Sequence, residues 1–237
     1  MREIYIPETN QLSSELGVDI HWIEVCTSTN QVAKQLADDG WGGILVADYQ
    51  TQGRGRMERA WLSNPGENLL LSWAFECRCK VQELPRIPLL LAGELAHAFD
   101  LFVKWPNDIV TKEGRKVGGV LSTVSGLEEN VWTVVIGLGL NVNQMEFLPE
   151  LNASSLRMES QLGQEWDRMA VLKQVVEVCQ GLDITQSFER WSARSITLGK
   201  RVEVAGRVGV ASGIREDGAL IVDGKPITSG DVHLVEM

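Results

Sequence analysis

The stretch Leu101-Phe102-Val103-Lys104-Trp105-Pro106-Asn107-Asp108-Ile109-Val110-Thr111-Lys112-Glu113-Gly114-Arg115-Lys116-Val117-Gly118-Gly119-Val120-Leu121 speaks most directly to architecture. Leu101–Trp105 is β-prone and stops at Pro106, whose missing N–H cannot join a strand ladder. Asp108–Thr111 and Lys116–Val124 flank a turn at Lys112–Arg115, the pattern of a hairpin. Val131–Gly137 is the next strand and closes at Gly139-Leu140-Asn141. Upstream, Ile20–Val25, Ile44–Ala47 and Asn68–Phe75 also read as strands. Helical spacing comes in blocks: Gln31–Asp38 behind the N-cap candidates Thr27–Asn30, then Pro88–Phe99, then Trp166 to about Trp191 with a break near Gly181. Hairpin-linked strands with helices in blocks predict an α+β fold on a mixed, largely antiparallel sheet, not a doubly wound parallel one.

The texture changes at Leu198. From there onward, Val202, Val204, Val208 and Val210 alternate with polar residues or glycine, and turn signals recur at Asp217-Gly218 and Asp223-Gly224. This predicts a small β-barrel. The chain thus divides into a large unit, residues 1–190, and a C-terminal β unit, residues 191–237. Residues 144–163 carry few periodic apolar positions and read as a long loop, often a sign of function.

With 237 residues, 44% of them hydrophobic, the chain is long enough for a sizeable core. There are 22 basic and 32 acidic residues, a net charge of −10. That argues against non-specific nucleic-acid binding, which depends on neutralising phosphates, and against docking on an anionic membrane. No apolar run marks a secretory signal or a bilayer span of about 20 residues, so a cytoplasmic location is expected. Cys26, Cys77, Cys79 and Cys179 form no CxxC pair and are expected to be structural free thiols. His97 lies on a mostly apolar helix, and His21 and His233 have no partner motif, so none reads as catalytic.

Chemistry concentrates in four places. Gly53-Arg54-Gly55-Arg56, followed by Arg59, sets three guanidinium groups in a glycine-rich loop of an acidic chain. The glycines allow backbone conformations closed to other residues, and the planar forks suit carboxylate and phosphate. Asn107 and Asp108 sit at a strand break, where they either reach a ligand or metal or serve as ordinary turn residues. Lys116 opens a strand weakened by Gly118 and Gly119; it is either a point charge for an anion or a solvated lysine at a strand start. Gly137-Leu138-Gly139-Leu140-Asn141 would let backbone approach a ring that Asn141 could read. No GxxxxGK[ST] loop and no GxGxxG after a strand is present, so a nucleotide would need another scaffold.

The order of these motifs resembles that of the biotin protein ligases. The matching stretches are Ser28-Thr29-Asn30, Gln50 with Gly53–Arg56, Trp61, Lys104–Asp108, Lys116–Gly119, Gly137–Asn141 and Ala153-Ser154-Ser155-Leu156. The resemblance implies a class II synthetase-like catalytic domain with a small SH3-like β domain, and the substrates biotin and ATP with Mg2+. It implies two steps: biotin and ATP give biotinyl-5′-AMP, which then acylates one lysine of a biotin carboxyl carrier domain. Homodimerisation is left open. By the same resemblance, Arg54, Lys116 and Asp108 are catalytic, with Asp108 either binding the metal or orienting the lysine. Ser28, Thr29, Asn30, Gln50, Gly53, Arg54, Arg56, Lys116 and Gly118 would bind biotin. Arg54, Arg56, Trp61, Asn107, Lys116 and Asn141 would bind ATP or the adenylate.

Two departures stand out. The family places a glycine two residues after the second arginine of the loop, where this chain has Glu58, which either pairs with Arg59 or alters loop mobility. Some members carry an N-terminal DNA-binding domain. Only about twenty residues precede Thr27 here, so repressor activity is not expected. The rival readings are a lipoate-type acyl ligase, a non-catalytic biotin sensor, and an interaction module built on the C-terminal barrel.

Overall fold

Leucine- and valine-rich runs build one large sheet in the computed structural model, which describes residues 7–235. Its strands are β1 (Ile20–Cys26), β2 (Gly43–Gln50), β3 (Leu69–Arg78), β4 (Phe102–Lys104), β5 (Asp108–Val110), β6 (Lys116–Glu128) and β7 (Val131–Leu140). They lie in the order β1-β2-β3-β7-β6-β5-β4. Only β1 and β2 pair in parallel, and α2 (Thr29–Asp38) supplies the crossover that a parallel pair requires. All other neighbours are antiparallel, as the hairpin at residues 108–124 predicts.

The sheet is covered on both faces around β2, which is why that strand reads as a continuous apolar run. Ile44 and Val46 point into the main core with Leu69 and Leu71, under α3 (Arg86–Ala98) and α5 (Arg168–Gln180). Leu45 and Ala47 point the other way, into a smaller cluster with Val32 and Ala33 of α2.

Three elements depart from the sequence expectation. Helix α1 (Pro7–Leu16) was not foreseen; it buries Leu12 against the main core but has little apolar periodicity. The 144–163 loop contains a single turn of helix, α4 (Leu156–Glu159), which the Ser155 hydroxyl caps by accepting from the Met158 N–H at 3.2 Å. The helical block after Trp166 is interrupted for longer than one glycine. It resumes only at α6 (Glu189–Ala193), because Asp183 accepts from both the N–H and the hydroxyl of Thr185 and closes a local turn.

The C-terminal strands β8 (Arg201–Val204), β9 (Arg207–Ile214), β10 (Leu220–Val222), β11 (Lys225–Ile227) and β12 (His233–Leu234) form a second, wholly antiparallel sheet in the order β11-β10-β9-β8-β12. The predicted valine alternation holds on β8, where Val202 and Val204 are buried and Arg201 and Glu203 exposed. Trp105, nearly fully buried, locks this sheet to the large one by donating its indole N–H to the Gly218 carbonyl at 3.0 Å. Arg86 adds a bond to the Glu216 carbonyl at 2.9 Å. Among the described residues no helix is long and apolar enough to cross a membrane.

Candidate active site

Over the ends of β6 and β7, the glycine-arginine loop and the segment 147–153 enclose a cavity of about 320 Å3. The strand side of this cavity is fixed by ladder geometry. Val110 pairs with Lys116 and Asp108 with Gly119, which sets Asp108 beside Lys116; the Lys116 ammonium donates to Asp108 Oδ1 at 2.6 Å. Lys116 also stands over the Trp61 ring, 5.6 Å from its centroid. The backbone of Lys116 is held between Asn152 and Ser154 at 2.7 and 2.9 Å.

Trp61 lies flat against β7. A Cβ at Gly139 would sit 2.5 Å from the indole, so only glycine permits the approach. The sequence reading placed a ligand ring near this glycine; the ring that packs against it within the protein is Trp61. Asn141 also lines the cavity, but its amide N–H2 is bonded to the carbonyls of Ser154 (3.0 Å) and Lys116 (3.4 Å). Its Oδ1, buried, has no partner among the described residues.

The polar wall comes from β2 and the start of α2. Gln50 Oε1 accepts from both the N–H and the hydroxyl of Thr29, at 2.7 and 3.0 Å. Ser72, behind the wall, donates to the Thr29 hydroxyl at 2.9 Å. With its oxygen so occupied, Gln50 offers an N–H donor. Ser28 occupies the N-cap position, yet its hydroxyl makes no capping bond. Asn30 lines the cavity too, but its amide serves the sheet: Thr123 donates to its Oδ1 at 2.9 Å, and its Nδ2 donates to the Val135 carbonyl at 3.4 Å.

The arginine loop is built differently. Its glycines are not the residues in left-handed conformations: Gly55 is extended, and Met57 and Glu58 carry φ of 53° and 58°. The position where the resembling family places glycine is thus one where a side chain is strained. Glu58 pairs with Arg54, not with Arg59; Arg59 reaches instead to Asp231 before β12. Arg56 donates to the Gly230 carbonyl at 3.2 Å and to Asn107 Oδ1 at 3.4 Å, and lies 3.8 Å from Asp231. Asn107 in turn donates to the Val120 carbonyl at 2.6 Å.

Most of the residues singled out in the sequence therefore share one cavity: Ser28, Thr29, Asn30, Gln50, Arg54, Arg56, Trp61, Asn107, Asp108, Lys116 and Asn141. Gly53 and Gly118 do not line it. Gly53 borders a second hollow behind Trp61, and Gly118 packs inward, where a Cβ would meet the Gly139 carbonyl at 3.0 Å. The neighbouring Gly119 is the cavity glycine. Sequence reasoning missed Asp231, since a lone Gly-Asp turn carries no motif. It also missed the apolar wall of Leu121, Phe147 and Leu151, which lie in strand or loop contexts without a distinctive pattern.

The four cysteines are free and buried away from the cavity. Burial pushes the Cys26 thiol up to about 11 and that of Cys179 up to about 12; Cys79 also rises to about 12, chiefly through burial and then through its bond with Cys77. These thiols stay protonated at neutral pH and are poor nucleophiles. Among the described residues no group of three or more His, Cys, Asp and Glu side chains could hold a metal ion. Asp108 is a single carboxylate, sufficient only for a cation that arrives with phosphate ligands of its own.

Residues 22–141 match the model of the Biotin/lipoate A/B protein ligase family. The Bifunctional ligase/repressor BirA of Bacillus subtilis is 30% identical over 244 residues, covering 92% of this chain and 75% of that protein. The Biotin--[acetyl-CoA-carboxylase] ligase of Mycobacterium tuberculosis is 30% identical over 81% of this chain and 79% of its own length. A solved structure of the biotin protein ligase from Aquifex aeolicus in complex with biotin and ATP superposes with a TM-score of 0.73 at 29% identity, covering 92% of this chain and 99% of that one. On its matched motifs, its sheet order and these likenesses, the chain belongs to the biotin/lipoate A/B protein ligase family, as one of its biotin ligases.

Proposed function

We propose that this ligase activates biotin with MgATP as biotinyl-5′-AMP and transfers the biotinyl group to one lysine of a biotin carboxyl carrier domain. The large sheet with its helices forms the catalytic unit and β8–β12 a small SH3-like unit. The division expected at residue 190 cuts α6, whose Trp191 packs against Gly93 of α3, so the boundary belongs between α6 and β8. The observation that carries this reading is the convergence of Arg54, Arg56 and Lys116 on one cavity that the uncharged polar residues Ser28, Thr29, Asn30 and Gln50 also line.

The first step joins two anions. A carboxylate oxygen attacks the α-phosphorus and pyrophosphate leaves. Fixed cations lower the repulsion and stabilise charge that accumulates in the transition state. Lys116 and Arg54 flank the reacting groups, and Arg56 retains the adenylate. Ser28, Thr29 and Gln50 meet the ureido ring, which needs both donors and acceptors. Trp61, Asn107 and Asn141 face the nucleotide. A magnesium ion bound with ATP would offset phosphate charge, and Asp108 is the carboxylate of this cavity that would help hold it. In the second step the carrier lysine amine attacks the acyl carbon, AMP leaves and the nitrogen loses a proton. The alternative role for Asp108, already bound to Lys116, is to orient that amine.

A dithiolane acid offers no hydrogen-bonding ring to the Thr29–Gln50 wall, which favours biotin over lipoate. The test is mass spectrometry of a purified carrier domain incubated with this protein, MgATP and either acid. A gain of one biotinyl group on one lysine is expected. A gain of a lipoyl group alone, or of neither, overturns the reading.

A further inference from the structure

Asp231 belongs to no motif, yet it lines the cavity from the far end of the chain. Its carboxylate pairs with Arg59 and lies 3.8 Å from Arg56, whose guanidinium also bonds the adjacent Gly230 carbonyl at 3.2 Å. One short turn of the small sheet therefore holds both arginines of the loop at the cavity. The turn is itself fixed. Gly230 has φ of 131°, and a Cβ there would meet Val204 at 3.1 Å. Val232 is buried, and β12 pairs with β8 through His233–Glu203 and Leu234–Val202. The small sheet is bolted to the large one by Trp105 and Arg86.

Beyond this turn the loop is held by the Arg56–Asn107 bond at 3.4 Å, the exposed Arg54–Glu58 pair and a single bridge between Arg54 and Ala60. Its internal backbone bonds are Gly55 to Arg59, Arg59 to Arg56 and Trp61 to Gly53, and it carries two left-handed non-glycine residues. We infer that Asp231 is a positioning residue: a carboxylate latch through which the C-terminal sheet keeps the arginine loop closed, so that Arg56 stays over the cavity and the acyl-adenylate is retained. The adenylate part of this inference rests on the proposed function; the latch does not. An exposed ion pair alone contributes little to stability. The latch acts locally, by fixing the loop in one of its conformations.

Two readouts on the full chain separate these parts. The first needs no ligand: trypsin cleavage after Arg54, Arg56 and Arg59. Asp231→Ala is expected to speed it about fivefold to tenfold. Asp231→Glu should return it towards the native rate, and the control Asp217→Asn, elsewhere on the small sheet, should leave it alone. Unchanged cleavage in Asp231→Ala, or equal acceleration in Asp217→Asn, overturns the latch. The second readout is the ratio of adenylate released into solution to adenylate formed. It is expected to rise about tenfold in Asp231→Ala and to fall back in Asp231→Glu. A native ratio in Asp231→Ala removes the role in retention even where cleavage accelerates. If the native chain forms no adenylate while cleavage responds as expected, the proposed function fails and the latch stands.

Discussion

The two halves of the cavity are made in opposite ways. Lys116 and Asp108 sit on paired strands, with Lys116 held at its backbone on both sides and its ammonium fixed at 2.6 Å from Asp108. Arg54, Arg56 and Arg59 sit on a loop with few backbone bonds, and Met57 at its tip is 70% exposed. Every cation has a carboxylate partner: Asp108 for Lys116, Glu58 for Arg54, and Asp231 for Arg59 with Arg56 nearby. The difference teaches that preorganisation is divided. Strand register sets one charge before any ligand arrives, whereas an incoming anion must compete with Glu58 for Arg54, which is cheap at an exposed pair.

The largest expected effect tests both halves at once. Lys116→Ala and Arg54→Ala should each lower adenylate formation by about 10²-fold or more, as for loss of a preorganised charge stabiliser. Pyrophosphate release would measure it, and near-native rates in both would remove their roles. Arg56→Gly should act on the loop half alone, releasing adenylate and labelling bystander proteins; labelling confined to the carrier domain would contradict that.

Gly139→Ala probes the strand half. The new methyl would drive into the Trp61 ring at 2.5 Å, costing about 1–3 kcal/mol through overpacking. Thermal unfolding should show the loss, and an unshifted midpoint would mean that Trp61 is not seated on β7. Glu58→Gly probes the loop half in the other direction. It relieves a left-handed side chain whose conformation costs about 1–2 kcal/mol, offset in part by the entropy of glycine. Denaturant titration should show a stability gain of up to about 1 kcal/mol, and a loss of that size would contradict the assignment of strain.

The smallest effect concerns the sheet that anchors the loop half. The side chain of Arg215 holds the Asp217 carboxyl below its ordinary range. A carboxyl depressed in the folded state stabilises above its unfolded pKa, and that contribution fades as pH falls through the lower, folded one. Asp217→Asn should therefore lower the unfolding midpoint slightly at neutral pH and match the native protein in strong acid. A difference that grows on acidification would reverse the sign of this account.

Much of this was legible in the sequence because local chemistry and tertiary placement agree. Pro106 ends β4, the turn at 112–115 makes the β5–β6 hairpin, and valine alternation marks β8. Lys116 and Asp108 could each be singled out from their motifs, but their pairing depends on the shifted register of β5 on β6, which sets Asp108 opposite Gly119 and Lys116 opposite Val110. What escaped was non-local. Asp231 meets Arg59 from 172 residues away through the docking of a second sheet. Gly118 and Gly119 alternate across a strand, and only the register of β6 on β7 decides which one faces the cavity. Helix α1 owes its place to a partner surface, not to its own periodicity.

The central claim is that this cavity joins two anions, and biotin-dependent turnover of MgATP by the purified native chain tests it most directly. The account predicts pyrophosphate release that requires biotin, with biotinyl-5′-AMP as the other product. Release of phosphate and ADP, or no response to biotin, would contradict it.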